Sequence, residues 1–233
     1  IAAPRAARNA ATIAALVALS CPAVSAQDNV LKAGVTRYDT HSKTSGLSTD
    51  PAVPTLAGSD AETGDATTVI VVYERLLTPS LGAELVLGWP PRIDARATGP
   101  LAGLTQQLGI SNTVLSAKNV SPTLLVNYYF GDPANAWRPY VGAGVNYTRF
   151  SGIRSSLPVS KLTMSDSWGP AVQVGIGYAF ARQWGMFASV ARIWVESDVE
   201  AVVNLPAVPV PVTVRTTVDF RPWTYTAGVY YRF

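Results

Sequence analysis

Charged residues are scarce in this chain of 233 amino acids: they make up 14% of it, against about 25% in ordinary soluble domains. Cysteine and histidine each occur once, as Cys21 and His41. These counts exclude a disulfide framework and leave too few ligands for a zinc site. After residue 26 no stretch reaches the ~18 uninterrupted apolar residues of a membrane-spanning helix. Because 48% of the residues are nevertheless hydrophobic, the chain is either an unusually apolar soluble protein or a β-barrel.

Residues 1–26 have the pattern of a secretory signal peptide. Two arginines precede an apolar run from Ala10 to Leu19, and a small-residue cleavage site, Val24-Ser-Ala26, follows it. The run is too short to remain as an anchor, so we expect export to the periplasm and a mature domain over residues 27–233. Removal of the two arginines leaves 16 of the 18 basic residues, against 15 acidic ones. This balance gives no basic stripe, and no nucleic-acid partner is expected.

Alternation with a period of two residues runs through the chain after Gln27, without a sustained helical period. In the last segment every second residue back from Phe233 is apolar as far as Trp223, and the other row is mostly small or polar. About ten residues with aromatic ends suffice for a tilted strand to cross a bilayer. The pattern predicts eight strands: Val30–Tyr38, Thr67–Arg75, Leu81–Trp89, Pro122–Phe130, Arg138–Phe150, Trp168–Phe180, Gly185–Val195 and Thr216–Phe233.

The predicted connections alternate in length. Long polar segments such as Asp39–Ala66 and Arg92–Val120 are interpreted as loops, and they alternate with short turns such as Leu76–Pro79. Outer-membrane barrels show this asymmetry. One row of several strands is bulky and apolar, whereas the other holds Gly, Ala and single polar residues, as a lipid-facing outside and a narrow interior require. An open sheet would leave its edges in lipid. The sequence therefore predicts an all-β fold: an eight-stranded antiparallel transmembrane β-barrel with long extracellular loops and short periplasmic turns.

Aromatic residues mark the ends of the predicted strands. Girdle anchoring at the membrane surface is the expected role of four tryptophans, with stacking on a ligand as the alternative: Trp89, Trp137, Trp184 and Trp223. Tyr231 and Phe233, at the end of the last strand, are interpreted as the signal read by the barrel-assembly machinery.

Several segments of the chain resemble the OmpW family of small outer-membrane porins. They occur in the family's order and cover most of the third to eighth predicted strands. The segments are Leu81-Gly-Ala-Glu-Leu-Val, Ser121-Pro-Thr-Leu-Leu-Val-Asn-Tyr-Tyr-Phe-Gly-Asp132, Arg138-Pro-Tyr-Val-Gly-Ala-Gly-Val-Asn-Tyr-Thr148, Asp166-Ser-Trp-Gly-Pro-Ala-Val-Gln-Val-Gly-Ile-Gly-Tyr178, and Arg221-Pro-Trp223 through Tyr231-Arg-Phe233.

The resemblance implies a hydrophobic lumen that holds a detergent-like molecule and passes small hydrophobic compounds. Stress tolerance and phage or bacteriocin reception are further roles that the family suggests. Family members narrow the bottom of the lumen with bulky apolar side chains, and the matching positions here are Val86 and Ala191. Both residues are small, so the resemblance implies that they lie on the ligand path but does not imply that they narrow it.

Three more residues are assigned to the lumen by strand parity. Glu84 faces inward, and a carboxylate inside a narrow barrel must be paired, hydrated or protonated. We expect an ion pair with an inward base such as Arg75 or Arg138; a polar point on the ligand path is the alternative. Gly142 and Gly144 face inward as well, where they leave room for neighbouring side chains or form part of a cavity.

Catalysis is not expected. His41 lies in a polar segment without a matching nucleophile, so no catalytic residue, cofactor or metal is assigned. The hypothesis is a monomeric barrel in the outer membrane of a Gram-negative bacterium, forming a narrow hydrophobic channel or pocket for passive uptake of small hydrophobic molecules. The alternative is a plugged structural barrel whose extracellular loops mediate surface, phage or bacteriocin interaction. Outer-membrane lipid and lipopolysaccharide are the other expected partners.

Overall fold

The computed structural model of the protein describes residues 28–40, 42–44, 48–50, 60–107, 109, 111–155, 159–203 and 212–233. Within these ranges the chain is almost entirely β. The elements are β1 (Asn29–Asp39), β2 (Ser42–Thr44), β3 (Ser48–Asp50), β4 (Asp60–Thr63), β5 (Ala66–Leu76), β6 (Leu81–Gly88), β7 (Arg92–Thr98), α1 (Pro100–Gln107), β8 (Thr113–Val120), β9 (Thr123–Tyr129), β10 (Trp137–Ser155), β11 (Val159–Met164), β12 (Ser167–Ala179), β13 (Trp184–Ile193), β14 (Val195–Val203), β15 (Val212–Phe220) and β16 (Trp223–Arg232). No helix in these ranges is long and apolar enough to span a membrane.

Eight of the strands close into an antiparallel barrel, as predicted. Their order around the wall is β1, β5, β6, β9, β10, β12, β13 and β16. The seam between the first and last strands runs from the pair Val30–Arg232 to the pair Asp39–Trp223. Consecutive barrel strands are joined by short turns at one end, which we call the turn end. The opposite end, where the long connections lie, is the upper end.

The predicted eighth strand, Thr216–Phe233, is divided in the structure. Arg221 and Pro222 separate β15 from β16, and only β16 belongs to the barrel. A proline cannot donate to the ladder, so the strand is interrupted there. The predicted seventh strand is divided in the same way at Trp194, which lies between β13 and β14.

The prediction that the long connections are loops was wrong for the parts of them that the structure describes. The segment Arg92–Val120 contains β7, α1 and β8, and β8 pairs with the upper part of β10. The reason is visible in β7, where Ile93, Ala95 and Ala97 alternate with charged residues and turn their small side chains inward. On another part of the rim, β11, β14, β15, β2 and β3 form a second extension.

The bulky rows face outward and the slimmer rows face inward, as predicted. In β5, Val69 and Val71 are 58% and 51% exposed, whereas the alternate residues Ile70 and Val72 are 4% and 2% exposed. The same alternation occurs in β9 and β12. An apolar belt therefore surrounds the barrel, which is the surface that a lipid bilayer covers.

Two inward glycines let the seam strands approach closely. Gly34 and Gly228 lie opposite each other, and a Cβ on Gly228 would stand 2.1 Å from the carbonyl oxygen of Ala33. By contrast, a Cβ on the inward Gly177 would have no non-neighbouring atom nearer than 3.8 Å. A side chain at Gly228 can therefore be accommodated only if the backbone of the seam moves.

We expect Gly228→Ala to lower the free energy of unfolding by about 1–3 kcal/mol, because overpacking forces backbone shifts. Urea unfolding in detergent micelles, followed by tryptophan fluorescence, measures the change. Gly177→Ala is the matched control and should unfold at the wild-type urea concentration. Equal stability of the two variants would contradict the close approach at the seam.

Candidate functional site

A buried ion-pair cluster crosses the middle of the lumen. Lys32 Nζ lies 2.6 Å from Glu84 Oε2 and 2.9 Å from Glu74 Oε2. All three side chains are nearly inaccessible, with at most 4% of their surface exposed. One ammonium group therefore bridges two carboxylates that have been removed from water.

Neutral donors complete the coordination of both carboxylates. The Tyr129 hydroxyl donates to Glu74 at 2.7 Å, and Asn127 Nδ2 donates to Glu74 Oε1 at 3.0 Å and to Glu84 Oε2 at 3.1 Å. Gln173 Nε2 donates to Glu84 Oε1 at 2.9 Å. Every carboxylate oxygen of the cluster thus accepts a hydrogen bond or a salt bridge, as buried charges require. We call this set of six residues the partition: Lys32, Glu74, Glu84, Asn127, Tyr129 and Gln173.

Strand register brings the partition together. Glu74 and Glu84 lie directly opposite each other on β5 and β6, an arrangement that is destabilising for like charges unless a cation intervenes. Lys32, on the neighbouring strand β1, supplies that cation, since it lies beside Val72 on the other edge of β5.

The expected partners of Glu84 were wrong. Arg75 follows the inward Glu74 and therefore points away from the lumen, where its Nη1 donates to Asn29 Oδ1 at 2.9 Å. Arg138 faces inward, but nearer the turn end, and donates to the carbonyl oxygen of Pro79 at 2.7 Å. Its guanidinium group stacks on the Tyr129 ring at 4.9 Å.

Two cavities lie on opposite sides of the partition. The upper cavity has room of about 50 Å³ for water-sized molecules. Its lining mixes apolar side chains with threonines, serines and the partition residues Glu84 and Gln173. The apolar ones are Ile70, Val72, Val86, Leu125, Ala171, Phe187, Ala191 and Ile193. The turn-end cavity is equally small and holds more charged residues, since Lys32, Glu74, Arg138 and Arg232 are among its lining residues. Glu84 and Gln173 face the upper cavity, so the partition closes the lumen between the two.

The lumen residues assigned from the sequence lie at three places. Glu84 belongs to the partition, and Val86 and Ala191 line the upper cavity. Gly142 and Gly144 line neither cavity. A Cβ on Gly142 would stand 2.1 Å from Asn127 Oδ1, and one on Gly144 would stand 1.9 Å from the carbonyl oxygen of Leu124. The two glycines thus make room for the partition and for the neighbouring strand.

Sequence reasoning missed most of the partition. Five of its members, all except Glu84, were not singled out, although each sits on the inward row of its strand: Lys32, Glu74, Asn127, Tyr129 and Gln173. Large polar side chains on an otherwise slim row were the available signal. The hydrophobic lumen that the family resemblance implied is polar at its centre.

The wall beside the upper cavity is irregular between β12 and β13. Regular pairing ends at Ala171 and Ile193. Above this pair Pro170 accepts a hydrogen bond from the Trp194 backbone N–H at 3.1 Å but has no N–H to return. Farther up, the Glu196 backbone N–H donates to the Ser167 hydroxyl at 3.0 Å instead of to a backbone carbonyl. Between Ala171 and Ser167 one backbone bond and one side-chain bond thus replace the ladder. Above Ser167 the two chains are joined again, since the Ser165 backbone N–H donates to the carbonyl oxygen of Asp198 at 2.9 Å.

Aromatic side chains border the apolar belt at both ends. At the turn end, Trp137 packs on Tyr178 at 4.3 Å, Trp184 packs on Tyr231 at 4.9 Å, and Phe233 follows at 6.1 Å from Tyr231. At the upper end, Trp89 is 74% exposed, and the Trp223 ring lies 4.9 Å from the Arg192 guanidinium group. Trp168, which was not assigned to a girdle, packs on Tyr147 at 4.8 Å. These positions fit the expected membrane anchors.

Two sequence assignments lie outside the described residues: the signal peptide over residues 1–26 and His41. Within the described part of the chain, no group of three or more His, Cys, Asp or Glu side chains is placed to hold a metal ion.

Comparison with known proteins agrees with this architecture. A model of the OmpW family matches residues 26–233. Outer membrane protein W of Escherichia coli K12 is 33% identical over 170 residues, which are 70% of this chain and 71% of that protein. The dibenzothiophene metabolism operon protein PahQ of Pseudomonas aeruginosa is 24% identical over 162 residues, 70% of each chain. The crystal structure of the outer membrane protein OprG from Pseudomonas aeruginosa covers 89% of this chain and 96% of that one, with 25% identity and a TM-score of 0.77. The protein is thus a barrel of the Gram-negative outer membrane, and the chain belongs to the OmpW family.

Proposed function

We propose that the protein takes up small hydrophobic molecules passively, without performing chemistry on them. A molecule enters the upper cavity from outside the cell and leaves sideways, through the irregular wall between β12 and β13, into the membrane. Desolvation of the apolar ligand supplies the driving force, at roughly 25 cal/mol for each Å² removed from water.

The observation that carries this proposal is the partition beneath an apolar cavity. A ligand that continued straight down the lumen would have to separate Lys32 from Glu74 and Glu84. Leaving a buried charge without its partner costs about 3–5 kcal/mol, and an apolar ligand has no group that could replace that partner. A path toward the turn end is therefore unfavourable for the very molecules that the upper cavity suits.

The position of Pro170 supports a sideways exit. Along the outward row of β12, Pro170 lies between Trp168 at the girdle and Val172 in the apolar belt. A gap at this height would open directly onto the hydrocarbon chains of the outer leaflet. Fewer backbone hydrogen bonds must break here than in a regular ladder, because Pro170 lacks its N–H.

One relative bears on the kind of cargo. PahQ, which resembles this chain over 70% of its length, is named for a dibenzothiophene metabolism operon. Dibenzothiophene is a fused aromatic compound with very little polar surface. A cargo of this class fits the apolar lining that Val86, Leu125 and Ile193 give to the upper cavity.

The closed lumen also favours a second candidate function, a plugged barrel whose extensions bind surfaces or phage. In that case the strands only present the upper extensions, and filling the upper cavity should change nothing. The uptake experiment below separates the two.

We expect Val86→Trp and Ala191→Trp, together, to slow the uptake of an apolar fluorescent dye into proteoliposomes several-fold. Both side chains line the upper cavity, so two indole rings at these positions would fill the space that a ligand has to occupy. Dye fluorescence inside the liposomes measures the rate.

The matched control is the pair Leu85→Trp and Val190→Trp. Leu85 directly precedes Val86 on β6, and Val190 directly precedes Ala191 on β13. Both belong to the outward rows of these strands. Heat-dependent migration on gels verifies that each variant folds. Dye uptake at the wild-type rate in the cavity variant would reject this path and favour the second candidate function.

A further inference from the structure

One outer wall of the upper extension is strongly basic. The strands β7 and β8 and the upper part of β10 form this wall, and their inward residues are small or apolar, among them Ala95, Ala97 and Ala117. Four outward residues carry positive charge, and we call them the basic face: Arg92, Lys118, Arg149 and Arg154. All four are exposed.

The basic face begins where the membrane ends. Arg149 follows Tyr147 on the outward row of β10, and Tyr147 packs on the girdle residue Trp168. At about 3.3 Å per residue, Arg149 lies roughly 7 Å beyond Tyr147 along the strand. Lys118 lies opposite Ser151, roughly 13 Å beyond it, and Arg154 lies farther still. The face thus extends through the headgroup layer and beyond the depth of an ordinary phospholipid headgroup.

Two carboxylates lie near the basic face, Asp94 on the outward row of β7 and Asp166 beside Arg149 at the upper end of β12, but neither forms an ion pair with it. Arg92 and Lys118 lie directly opposite each other, which is destabilising for like charges. None of the ion pairs between described residues includes any of the four. Asp94 is the acidic residue on this stretch of β7, and Arg96 is not counted in the face because its strand partner is Glu62.

Three other arginines near the upper end are arranged differently. Arg37 pairs with Asp65 at 2.9 Å, Arg215 pairs with Glu200 at 3.1 Å, and Arg221 pairs with Asp219 at 2.6 Å. These arginines have a carboxylate of the same chain within reach. The contrast indicates that the counter-charge of the basic face comes from another molecule.

We propose that the basic face binds the phosphate groups of the outer-leaflet glycolipid, lipopolysaccharide. The occupant must be anionic to match four cations, and it must be anchored in the membrane because the face rises directly from the girdle. It must also carry negative charge well above the hydrocarbon surface, where Lys118 and Arg154 lie. A phosphorylated sugar headgroup meets all three conditions, whereas a phospholipid places its single phosphate too low. The site is independent of the uptake path, which lies inside the barrel.

Binding of a rough lipopolysaccharide to the folded protein in detergent micelles, counted by native mass spectrometry, tests the proposal. The variant R92Q/K118Q/R149Q should bind the lipid about tenfold more weakly or worse, since each cation near an anionic surface contributes to affinity. The control variant R37Q/R215Q/R221Q removes the same number of positive charges from paired sites and should bind within about twofold of wild type.

Further arms distinguish the source of the phosphate. Enzymatically dephosphorylated lipid and phosphatidylglycerol should bind the wild-type protein as weakly as the glycolipid binds the basic-face variant. Inorganic pyrophosphate alone should not displace the bound glycolipid at equal concentration. Equal losses in both variants, or equal binding of the dephosphorylated lipid, would overturn the proposal.

A measurement on the unaltered protein does not depend on folding of the variants. In the presence of the glycolipid, Lys118 should be protected from an amine-acylating reagent, whereas the exposed Lys161 on β11 should react as before. Unchanged acylation of Lys118 would equally count against the site.

Discussion

Replacing Lys32 with methionine should lower the free energy of unfolding by about 3–5 kcal/mol, because it leaves Glu74 and Glu84 buried against each other without a cation. Methionine keeps much of the length of the lysine side chain, so the loss reports charge and not a cavity. Urea titration of the refolded protein in lipid vesicles, followed by tryptophan fluorescence, measures it. The urea midpoint should fall with little change in slope.

The control for Lys32→Met is Arg37→Met, which removes a cation from an exposed position on the same strand. Arg37 and Asp65 form an ion pair whose side chains are 64% and 46% exposed, and exposed pairs contribute about 1 kcal/mol or less. Adding Glu84→Gln to Lys32→Met should recover part of the loss, since one buried charge is then removed. An unfolding midpoint for Lys32→Met equal to that of Arg37→Met would show that the buried ion pairs of the partition do not stabilise the barrel.

A disulfide across the irregular wall should stop uptake in a reversible way. Ala171 and Ile193 are the last regular pair between β12 and β13, and both side chains line the upper cavity. Cysteines in place of both lie directly opposite each other, as a disulfide requires. After oxidation, dye entry into proteoliposomes should fall to that of protein-free liposomes, and a reductant should restore it.

The matched control places a disulfide on another wall of the same cavity. Ile70, which lines the cavity, lies opposite Gly88 on β5 and β6, and a Cβ on Gly88 would have Ile70 as its nearest neighbour at 3.7 Å. The chain has no native cysteine after Cys21 to interfere. Oxidation of that pair should leave the rate unchanged. If the Ala171–Ile193 disulfide forms and uptake continues, the ligand does not leave between β12 and β13.

The barrel itself could be predicted from local pattern. Strand β16 shows why: with Trp223 and Tyr225 on its outward row and Thr224 and Thr226 on its inward row, the alternation fixes which side meets lipid. Short turns such as the one around Asp132 then dictate antiparallel neighbours. Closure follows from the cost of unpaired edges in a membrane.

The partition could not be predicted in the same way. That Glu84 faces inward follows from parity, but its partner depends on how strands β1, β5 and β6 are staggered around the wall. Glu74 and Lys32 are separated from it by 10 and 52 positions in the chain, and no local pattern specifies that stagger. Arg75 is a nearer base than Lys32 in the sequence, yet it points outward, and the inward Arg138 lies toward the turn end.

The extension strands were missed for a different reason. Polar and proline-rich composition suggested loops, whereas β7 and β14 alternate in the same way as the barrel strands. Their inward residues, such as Ala95 and Ala97, are too small to stand out as an apolar row. Pairing of β8 with the overhanging upper part of β10 supports β8 and, through it, β7. The 19-residue length of β10 is a property of the folded barrel.

Under the proposed sideways exit, a substance crosses at this protein only if it dissolves in the bilayer beside it. The oil–water partition coefficient of a solute, and not the diameter of a pore, then decides whether it crosses, so sugars and ions of equal size are excluded. Nothing along such a route can concentrate its cargo, and net flux is set by whatever consumes the compound inside the cell.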